Sequence, residues 1–502
     1  MPINNFREDE QVKEVVRGVT IVRLLTYLKS YKKDIALVLF NLIIIIAINT
    51  VNPLLIKIAI DRYIATSNYK GLVLIAGIAI GINLVAMRCI YLRINTMSRI
   101  ANEILMKIRQ ELYEHIQKLS FNFFDNRPVG KILARVIGDV NSLKDILTNS
   151  VITLIPDFVT VIVVLVVMAV INWVLALAAL ALLPFLVGMM YFINVKSHKR
   201  WQVVRKKNSN INAFVHEDFS GIKVVQSYSA ENQTSETFAE LLNEHRHAFK
   251  RAITLNDLFW PMVEVSWGLG SVFVYLLGVN SLTSGNITVG TLVAFTAYIS
   301  MFWQPIMNLS NFYNQLITNL AGAERIFEIL DTDPDIFDEA QVKEMSEING
   351  HVTFSDVNFS YDGTTQILEN VSFEVKAGET IALVGPTGAG KTTIVNLISR
   401  FYDIQAGEIL VDGQNIQQVS IESLRSQMGI MTQDTFLFSG TIRDNIRYGK
   451  LDATDEDIEE AAHAVHAHEF IMDLELGYDT LINERATKLS VGQKQLLAFA
   501  RT

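Results

Sequence analysis

The stretch Gly385-Pro386-Thr387-Gly388-Ala389-Gly390-Lys391-Thr392 decides the fold of the C-terminal part of this chain. It matches the phosphate-loop pattern G-x-x-x-x-G-K-[ST], and Thr393 follows it. Residues 381–384 predict a buried strand before it, and residues 393–398 predict a helix after it. The glycines would expose backbone N–H groups to anionic oxygens, Lys391 would reach the β- and γ-phosphates, and Thr392 would hold Mg²⁺. The pattern therefore predicts an α/β P-loop domain that binds ATP and Mg²⁺.

Long apolar segments precede this loop, and each is close to the roughly 20 residues that cross a bilayer. Six such segments in succession are not expected of a soluble protein, so we predict a membrane domain of six helical spans. The proposed spans are residues 35–60, 71–92, 151–171, 173–195, 253–282 and 289–320.

The connections between these segments alternate between short and long. Residues 61–70, Asn172 and residues 283–288 are short links, whereas the two remaining connections are long, helical in pattern and rich in Lys and Arg. The positive-inside rule places both long connections, and both termini, in the cytoplasm. We therefore predict a multi-pass protein of the plasma membrane with its nucleotide domain in the cytoplasm.

Composition excludes several classes of protein. Half of the 502 residues are hydrophobic and 19% are charged, which is unusual for a soluble ATPase. The net charge of -9 argues against nucleic acid as the main partner. The single cysteine, Cys89, precludes an intrachain disulfide, and the polar residues 1–12 do not resemble a cleaved signal peptide.

Three further segments have two interpretations each. Residues 19–33 alternate apolar and basic residues, as in an interfacial amphipathic helix or a charged flank of span one. Residues 123–130 and 216–223 lie where the long connections turn back. Each combines helix-breaking residues with apolar side chains, so each is either an ordinary turn or a knob that docks into another domain.

The domain boundaries follow from these patterns. We predict a cytoplasmic N-terminus (1–33), a transmembrane domain (34–330), a polar linker (331–350) and a nucleotide-binding domain (351–502). In the last, Gln433 follows an apolar strand, where it would reach the metal or the attacking water. Ser490 precedes a predicted helix at 494–501, which it would cap.

Together, the phosphate loop, Gln433, the run Leu489-Ser490-Val491-Gly492-Gln493 and the six preceding spans resemble an ABC exporter half-transporter. The resemblance covers nearly the whole chain. It implies a dimer of half-transporters, homo- or heterodimeric, with two ATP sites at its interface. It also implies that residues near Phe124 and Glu217 are coupling helices.

The resemblance assigns roles to individual residues. Tyr361 would stack on adenine, Gln433 would contact Mg²⁺, and Lys391 and Gln433 would serve catalysis. Ser490, Gly492 and Gln493 would form the signature motif that contacts the ATP of the opposite subunit. Glu484 and Arg485 would face the coupling helices. The implied nucleotide-binding residues are Tyr361, Gly385, Pro386, Thr387, Gly388, Ala389, Gly390, Lys391, Thr392, Thr393, Gln433, Ser490, Gly492 and Gln493, with Thr392 and Gln433 as metal ligands.

Two departures from the family pattern matter. Val491 stands where the usual signature has Gly, and a β-branched residue has a narrower backbone range. This change favours a heterodimer over a homodimer. The sequence also ends at Thr502, before the Walker B strand, the catalytic Glu and the switch His that the family would place next. We therefore expect the chain to be a fragment with an incomplete nucleotide domain, and no residue is assigned as general base.

Ionisable groups at membrane depth suggest how substrate is bound. Asp157 and Glu264, with aromatic residues in the last two spans, would suit a cationic hydrophobic compound. The alternative, which we favour, is that the aromatics pack helices and that Asp157 lies near the hydrated cytoplasmic end. The aromatics are Trp260, Trp267, Phe273, Tyr275, Phe295, Tyr298, Phe302 and Trp303.

We therefore expect an ATP-driven exporter subunit that moves a hydrophobic or amphipathic substrate, a drug or a lipid, out across the membrane. The runner-up is an ATP-binding regulatory or gating subunit that does not pump and has a degenerate site beside an active partner. An importer is disfavoured because importers of this class usually carry the two domains on separate chains.

Overall fold

The computed structural model describes residues 17–125, 127–149, 154–285, 287–338, 342–431, 435–483 and 489–502. These residues form two compact units. Unit 1 contains the chain up to Gln117 together with Val129–Thr332. Unit 2 contains Asp333–Thr502 and also the short segment Lys118–Pro128, which the sequence order alone would assign to the membrane domain.

Unit 1 is helical throughout its described elements, because water-free hydrocarbon leaves a spanning backbone no hydrogen-bond partners outside itself. The helices, in chain order, are α1 (Arg17–Leu28), α2 (Lys32–Ile58), α3 (Tyr69–Lys118), α5 (Val129–Ala134), α6 (Val140–Asn149), α7 (Ile155–Leu180), α8 (Leu183–Ser220), α9 (Ile222–Ser227), α10 (Glu231–Asn256), α11 (Phe259–Thr283) and α12 (Val289–Leu330). π-Helical turns at Ala59–Ile64 and Arg135–Asp139 follow α2 and α5. The segment α4 (Phe121–Asp125) belongs to unit 2.

Five helical stretches among the described residues are long and apolar enough to cross a membrane. They are Val19–Ile64, Tyr69–Lys118, Ile155–Leu180, Glu231–Thr283 and Val289–Ile306. The predicted fourth span, residues 173–195, is absent from this set because its residues are divided between two helices. Its first part ends α7, and a turn at Ala181–Leu182 separates it from α8.

The predicted one-residue link, Asn172, is a sharp break in the backbone. It has φ −161° and ψ 108°, far from helical values, within an otherwise helical run. Its side-chain Oδ1 accepts hydrogen bonds from the backbone N–H groups of Val174 and Leu175, each at 3.1 Å. Asn172 therefore caps the helix that restarts after it, which satisfies donors that a break in the helix would leave unpaired.

Helix α12 is the centre of unit 1 and packs against α2, α6, α7 and α11. The buried core around it includes Phe295, Tyr298, Phe302 and Trp303, four of the aromatic residues considered above as substrate contacts. The Tyr298 hydroxyl donates to the Thr50 carbonyl at 2.7 Å. These four side chains pack helices together, as the alternative interpretation expected.

Asp61 joins the end of the first span to the start of α12. Its Oδ1 accepts from the Gly290 N–H at 2.8 Å, and its Oδ2 accepts from the Thr288 hydroxyl at 2.5 Å. The end of α2 lies so close that a Cβ at Gly290 would be 2.6 Å from the Lys57 carbonyl oxygen. The close approach therefore requires glycine at this position.

Ion pairs fix the opposite, cytoplasmic end of α12. Arg325 donates two hydrogen bonds to the Asp139 carboxylate, at 2.6 and 2.8 Å. Arg23 of α1 pairs with Asp331 at 2.6 Å and lies over the Phe327 ring. Helix α1 buries Thr20, Leu24 and Leu28, while Val19, Ile21, Val22 and Leu25 are exposed.

Unit 2 contains an antiparallel sheet of order β2-β1-β3-β4, formed by Val352–Phe359 (β1), Leu368–Val375 (β2), Ala406–Val411 (β3) and Gln414–Asn415 (β4). Its core includes Phe354, Val357, Phe359, Leu397 and Ile409. The remaining elements are α13 (Lys391–Ile398), α14 (Ile421–Arg425), β5 (Gly440–Thr441), α15 (Ile442–Arg447), α16 (Asp455–Ala464), α17 (His468–Met472), β6 (Leu481–Ile482) and α18 (Val491–Arg501). A second core, around Ile442, Ile458 and Leu497, joins α15, α16 and α18.

The prediction of a buried strand at residues 381–384 is not met. No strand among the described residues pairs with this segment, and Val384 is 89% exposed. An apolar run becomes a buried strand only where neighbouring strands supply its hydrogen bonds and cover its faces. The apolar pattern alone carries no information on whether those neighbours are present.

Replacing Gly290 by alanine tests the contact between the first span and α12. We expect Gly290→Ala to destabilise the purified protein by about 1–3 kcal/mol, because the new methyl group overlaps the Lys57 carbonyl and the Asp61 carboxylate. The control is Gly77→Ala in α3, where a Cβ would meet nothing within 4 Å. Thermal unfolding in detergent measures both variants, and equal melting temperatures would contradict the close approach.

Candidate nucleotide site

The phosphate loop leads directly into α13. Gly388 and Gly390 have φ of 88° and 82°, in the left-handed region that favours glycine, and α13 begins at Lys391. Gly390, the residue before the helix, provides no side-chain cap. The N–H groups of the first helical turn are therefore available to an anion, as a phosphate site requires. A Cβ on Gly390 would lie 2.7 Å from Leu368 Cδ2.

Lys391 points back over its own loop. Its Nζ donates to the carbonyl oxygens of Gly385 and Pro386, at 2.9 and 2.8 Å. The ammonium group is therefore held at the mouth of the loop. The hydroxyl-bearing Thr392 is exposed at the start of α13, whereas Thr393 is buried and its Oγ1 lies 3.1 Å from the Tyr361 hydroxyl. Of the two threonines, Thr392 is thus the one whose side chain is open to a metal ion.

Tyr361 lies beside the loop and is 40% exposed. Its ring meets Phe359 edge-on at 4.8 Å and Tyr402 edge-on at 4.9 Å. These two neighbours hold the ring from two sides, and the exposed part remains free to stack on a base. The structure therefore brings together Tyr361 and the phosphate loop, as the sequence analysis predicted.

Asp362 organises the turn that carries Tyr361, and the sequence analysis did not single it out. Its Oδ1 accepts from the N–H groups of Thr364 and Thr365, at 2.8 and 2.7 Å, and from the Ser360 hydroxyl at 3.0 Å. The backbone hydrogen bonds from Thr365 and Thr364 lower the pKa of Asp362 far below its ordinary value. The available signal was the Asp-Gly-Thr-Thr sequence, which is typical of an Asx turn.

Tyr402 connects Tyr361 to the segment 118–128. Its hydroxyl donates a short hydrogen bond to Asp125 Oδ2, and the ring of Phe121 lies 4.5 Å from that of Phe401. Burial is the main cause of a raised pKa of Tyr402, and the hydrogen bond to Asp125 raises it further. The phenol therefore stays protonated at neutral pH. The first predicted coupling segment therefore contacts the residues that flank the proposed adenine platform.

Ser490 caps α18, as predicted, although the helix begins earlier than expected, at Val491. The Ser490 hydroxyl accepts from the Gln493 N–H at 3.3 Å, and Gln493 Oε1 accepts from the Ser490 N–H at 2.8 Å. This reciprocal pair is a capping box. Val491 is 73% exposed, and a Cβ at Gly492 would meet nothing within 4 Å. The start of α18 is therefore exposed, and its own side chains cap it.

Three residues assigned through the family resemblance, Gln433, Glu484 and Arg485, lie outside the described residues. Of the intramembrane acids, Glu264 is exposed in α11, whereas Asp157 accepts a hydrogen bond from Asn308 at 3.0 Å. Among the aromatics outside the core, Trp260, Phe273 and Tyr275 are exposed. The described residues that line the cavity beside Asp157 include no aromatic residue. The structure therefore does not bring the acids and the aromatics together into one site for a cationic compound.

The second turnaround is an exposed apolar tip. Helix α8 ends at Ser220, Gly221 breaks it, and α9 leads through Tyr228 into α10, which packs along α8. Phe219 and Tyr228 are 67% and 81% exposed, and Val224 is exposed between them. Apolar side chains gathered at the end of a helical hairpin are typical of a docking surface.

Comparison with known families supports this architecture. Residues 35–306 match the family described as ABC transporter transmembrane region. Residues 368–502 match the family described as ABC transporter. An uncharacterized ABC transporter ATP-binding protein of Bacillus subtilis is 38% identical over 99% of this chain and 82% of its own length. An ATP-dependent lipid A-core flippase of Syntrophus aciditrophicus is 34% identical over 95% and 80%.

A putative multidrug export ATP-binding/permease protein of Staphylococcus aureus is 35% identical over 96% of this chain and 85% of its own length. Among solved structures, a bacterial Atm1-family ABC exporter with ATP bound superposes with a TM-score of 0.77 at 26% identity. The superposition covers 94% of this chain and 83% of the chain of that exporter. With a membrane region and a nucleotide region on one polypeptide, this chain belongs to the ABC transporter family, as an exporter-type half-transporter.

Proposed function

We propose that this chain is one half of an ATP-driven exporter that moves a hydrophobic or amphipathic substrate, a drug or a lipid, out of the cell by alternating access. The observation that carries this proposal is the phosphate loop, with Lys391 held over it, on the same chain as helices able to span a membrane. The proposal keeps the six predicted spans, of which the fourth would be formed by the end of α7 and the start of α8. The relatives named above, an ATP-dependent lipid A-core flippase and a putative multidrug exporter, support this class of substrate.

ATP would bind between two such chains. Tyr361 would stack on adenine, the loop 385–393 would hold the phosphates, and Ser490, Gly492 and Gln493 would reach the nucleotide of the partner subunit. The exposed tip Phe219, Val224 and Tyr228 would dock on the partner's nucleotide domain. Lys391 and Gln433 would serve catalysis, with Gln433 beside the metal.

Mg²⁺ fits the residues at the start of α13. Thr392 offers an exposed hydroxyl beside the phosphate loop, and this hydroxyl would hold the metal ion. When bound, Mg²⁺ would neutralise charge on the terminal phosphates. Thr392 would orient it, while Lys391 would exchange its carbonyl partners for phosphate oxygens.

The second candidate is a regulatory subunit beside an active partner. The observation that favours it is Val491, whose exposed side chain stands in the signature motif where the usual residue is glycine. The same residue favours a heterodimer. Nucleotide binding without hydrolysis, together with transport that depends only on the partner's site, would support this second function.

Replacing Lys391 by alanine tests whether the proposed nucleotide site drives export. We expect Lys391→Ala to abolish ATP-dependent export from inverted vesicles that contain the complete transporter, because the loop loses the cation that faces the phosphates. The matched control is Lys376→Ala, an exposed lysine in the same unit, which should export at the wild-type rate. Unimpaired export by Lys391→Ala would refute the assignment.

Replacing Asp362 tests the turn that positions Tyr361. Asp362→Ala should weaken ATP binding several-fold, whereas Asp362→Asn, which keeps an acceptor oxygen, should bind nearly as well as wild type. Folding lowers the pKa of Asp362 below the value of about 3.9 that it has in the unfolded chain. The ionised carboxylate therefore stabilises the turn fully above about pH 3.9, and this stabilisation is lost only as the pH falls through the lower, folded-state pKa. ATP affinity measured from pH 8 to pH 5 should therefore show no titration from Asp362. A wild-type affinity in Asp362→Ala would contradict this role.

Removing the Tyr402 hydroxyl tests the connection to the first coupling segment. Tyr402→Phe keeps the ring beside Tyr361 but loses the hydrogen bond to Asp125, so we expect unchanged ATP affinity and a several-fold lower export rate. Asp125→Asn retains an acceptor oxygen for the phenol and should be milder. The measurements are equilibrium ATP binding and vesicle export on the same preparations. Equal losses in both would indicate a general folding defect instead.

A further inference from the structure

A cavity with a mainly apolar lining and a few polar side chains lies among the helices of unit 1, apart from the nucleotide site. It has a volume of about 350 Å³, within the usual range for ligand pockets. Its apolar lining includes Ile45, Ile46, Ile90 and Met301, from α2, α3 and α12. Its polar lining is formed by Asn49, Arg93, Asp157, Thr160 and Gln304.

Arg93 is the unusual member of this lining. Its Nε is buried and has no hydrogen-bond partner among the described residues. A buried guanidinium N–H without a partner is costly, since the group has lost water and gained nothing in exchange. Arg93 lines the cavity, so its guanidinium group brings a positive charge to whatever occupies the cavity.

Asp157 supplies the opposite charge in the same cavity. It lies in the first turn of α7, and Asn308 Nδ2 donates to its Oδ2 at 3.0 Å. Arg93 and Asp157 interact electrostatically without a direct hydrogen bond between them. A carboxylate with one amide donor retains acceptor capacity, so the cavity offers one cationic and one anionic group side by side.

The position of this pair along the spans indicates which part of a substrate it would meet. Arg93 directly follows the apolar residues of the predicted second span, and Asp157 comes early in α7, so both lie toward the cytoplasmic side of the membrane region. The same cavity is lined by Ile45 and Ile46 of α2 and by Ile90, which lies about one helical turn further toward the outside than Arg93. A polar head would therefore sit in the cavity while an apolar tail extends along the spans.

We propose that this cavity binds the zwitterionic head group of a lipid-like substrate, with its phosphate or carboxylate on Arg93 and its ammonium on Asp157. The proposal rests on the exporter function above and narrows its substrate class. It also replaces the cationic hydrophobic compound considered from the sequence, because Arg93 would repel a purely cationic head. A charge-assisted pair at each end of the head group provides selectivity over amphiphiles of a single charge.

The experiment compares the binding of four amphiphiles that share one dodecyl chain. Their heads are phosphoethanolamine, phosphate, ammonium and neutral maltose, and the protein is the complete transporter in lipid nanodiscs, without ATP. We expect wild type to bind the phosphoethanolamine amphiphile roughly tenfold more tightly than the phosphate or ammonium amphiphile, the order expected for one added charge-assisted hydrogen bond. Tail-less phosphoethanolamine should bind far more weakly, and equal affinity would overturn the lipid-like class.

Single variants separate the two ends of the head group. Arg93→Gln should lose affinity for the phosphoethanolamine and phosphate heads and keep its affinity for ammonium. Asp157→Asn should show the opposite pattern for the two singly charged heads. The controls are Arg88→Gln, an exposed cation on the same helix, and Glu264→Gln, an exposed acid in α11, which should both keep the wild-type order. Arg93→Lys keeps the charge and should restore most of the binding if Arg93→Gln folds poorly.

Head-group selectivity that is unchanged in both Arg93→Gln and Asp157→Asn would overturn the proposal. So would variants that lose thermal stability singly and regain it as the double variant without any change in selectivity, since this would indicate a purely structural charge pair. Because binding is measured without ATP, these outcomes are independent of the Lys391→Ala export experiment. A failed exporter function and a failed cavity assignment are therefore distinguishable.

Discussion

The lack of water in the hydrocarbon core is the constraint on which unit 1 depends. A spanning backbone must satisfy its own hydrogen bonds, which is why the described part of this unit is helical. The places where its helices break show the same constraint, since side chains supply the missing partners. Asn172 accepts from two N–H groups where α7 is interrupted, and Asp61 accepts from the start of α12. Polar residues in these spans therefore allow bends without leaving unpaired backbone groups.

Much of the nucleotide site was predictable from the sequence because its function depends on local backbone geometry. The spacing of Gly388, Gly390 and Lys391 determines a left-handed turn and a helix start, and both occur in the structure. The Ser490 cap was predictable for the same reason, since a serine three residues before a glutamine forms a capping box within one helical turn. The roles of Gln433, Glu484 and Arg485 remain predictions.

Features that depend on neighbours distant in sequence were not predictable. Asp125 and Tyr402 are 277 residues apart, and no periodic pattern indicates that they meet. The apolar run 381–384 has the composition of a buried strand, but its state depends on strands elsewhere. Span four has the length and composition of a spanning segment, yet the turn at Ala181–Leu182 divides it between two helices. The composition of a segment limits which secondary structures it can adopt, whereas the elements that pack against it decide which of them forms.

The charged groups of the nucleotide site and of the cavity in unit 1 have different surroundings. This difference explains why the sequence indicated the nucleotide site more clearly than the cavity. Lys391 lies in a loop whose carbonyl oxygens satisfy its ammonium, so the nucleotide site is stable before ligand arrives. Arg93 lies in a lining of mixed apolar and polar side chains that includes Asp157, and no short sequence motif indicates that these two charged residues meet. Charged groups that are partly removed from water lower stability unless other groups interact with them, and a ligand that adds such interactions recovers part of that free energy as binding affinity. The cavity in unit 1 would thus convert a structural cost into selectivity for its substrate, whereas the phosphate loop relies on a backbone that is already formed.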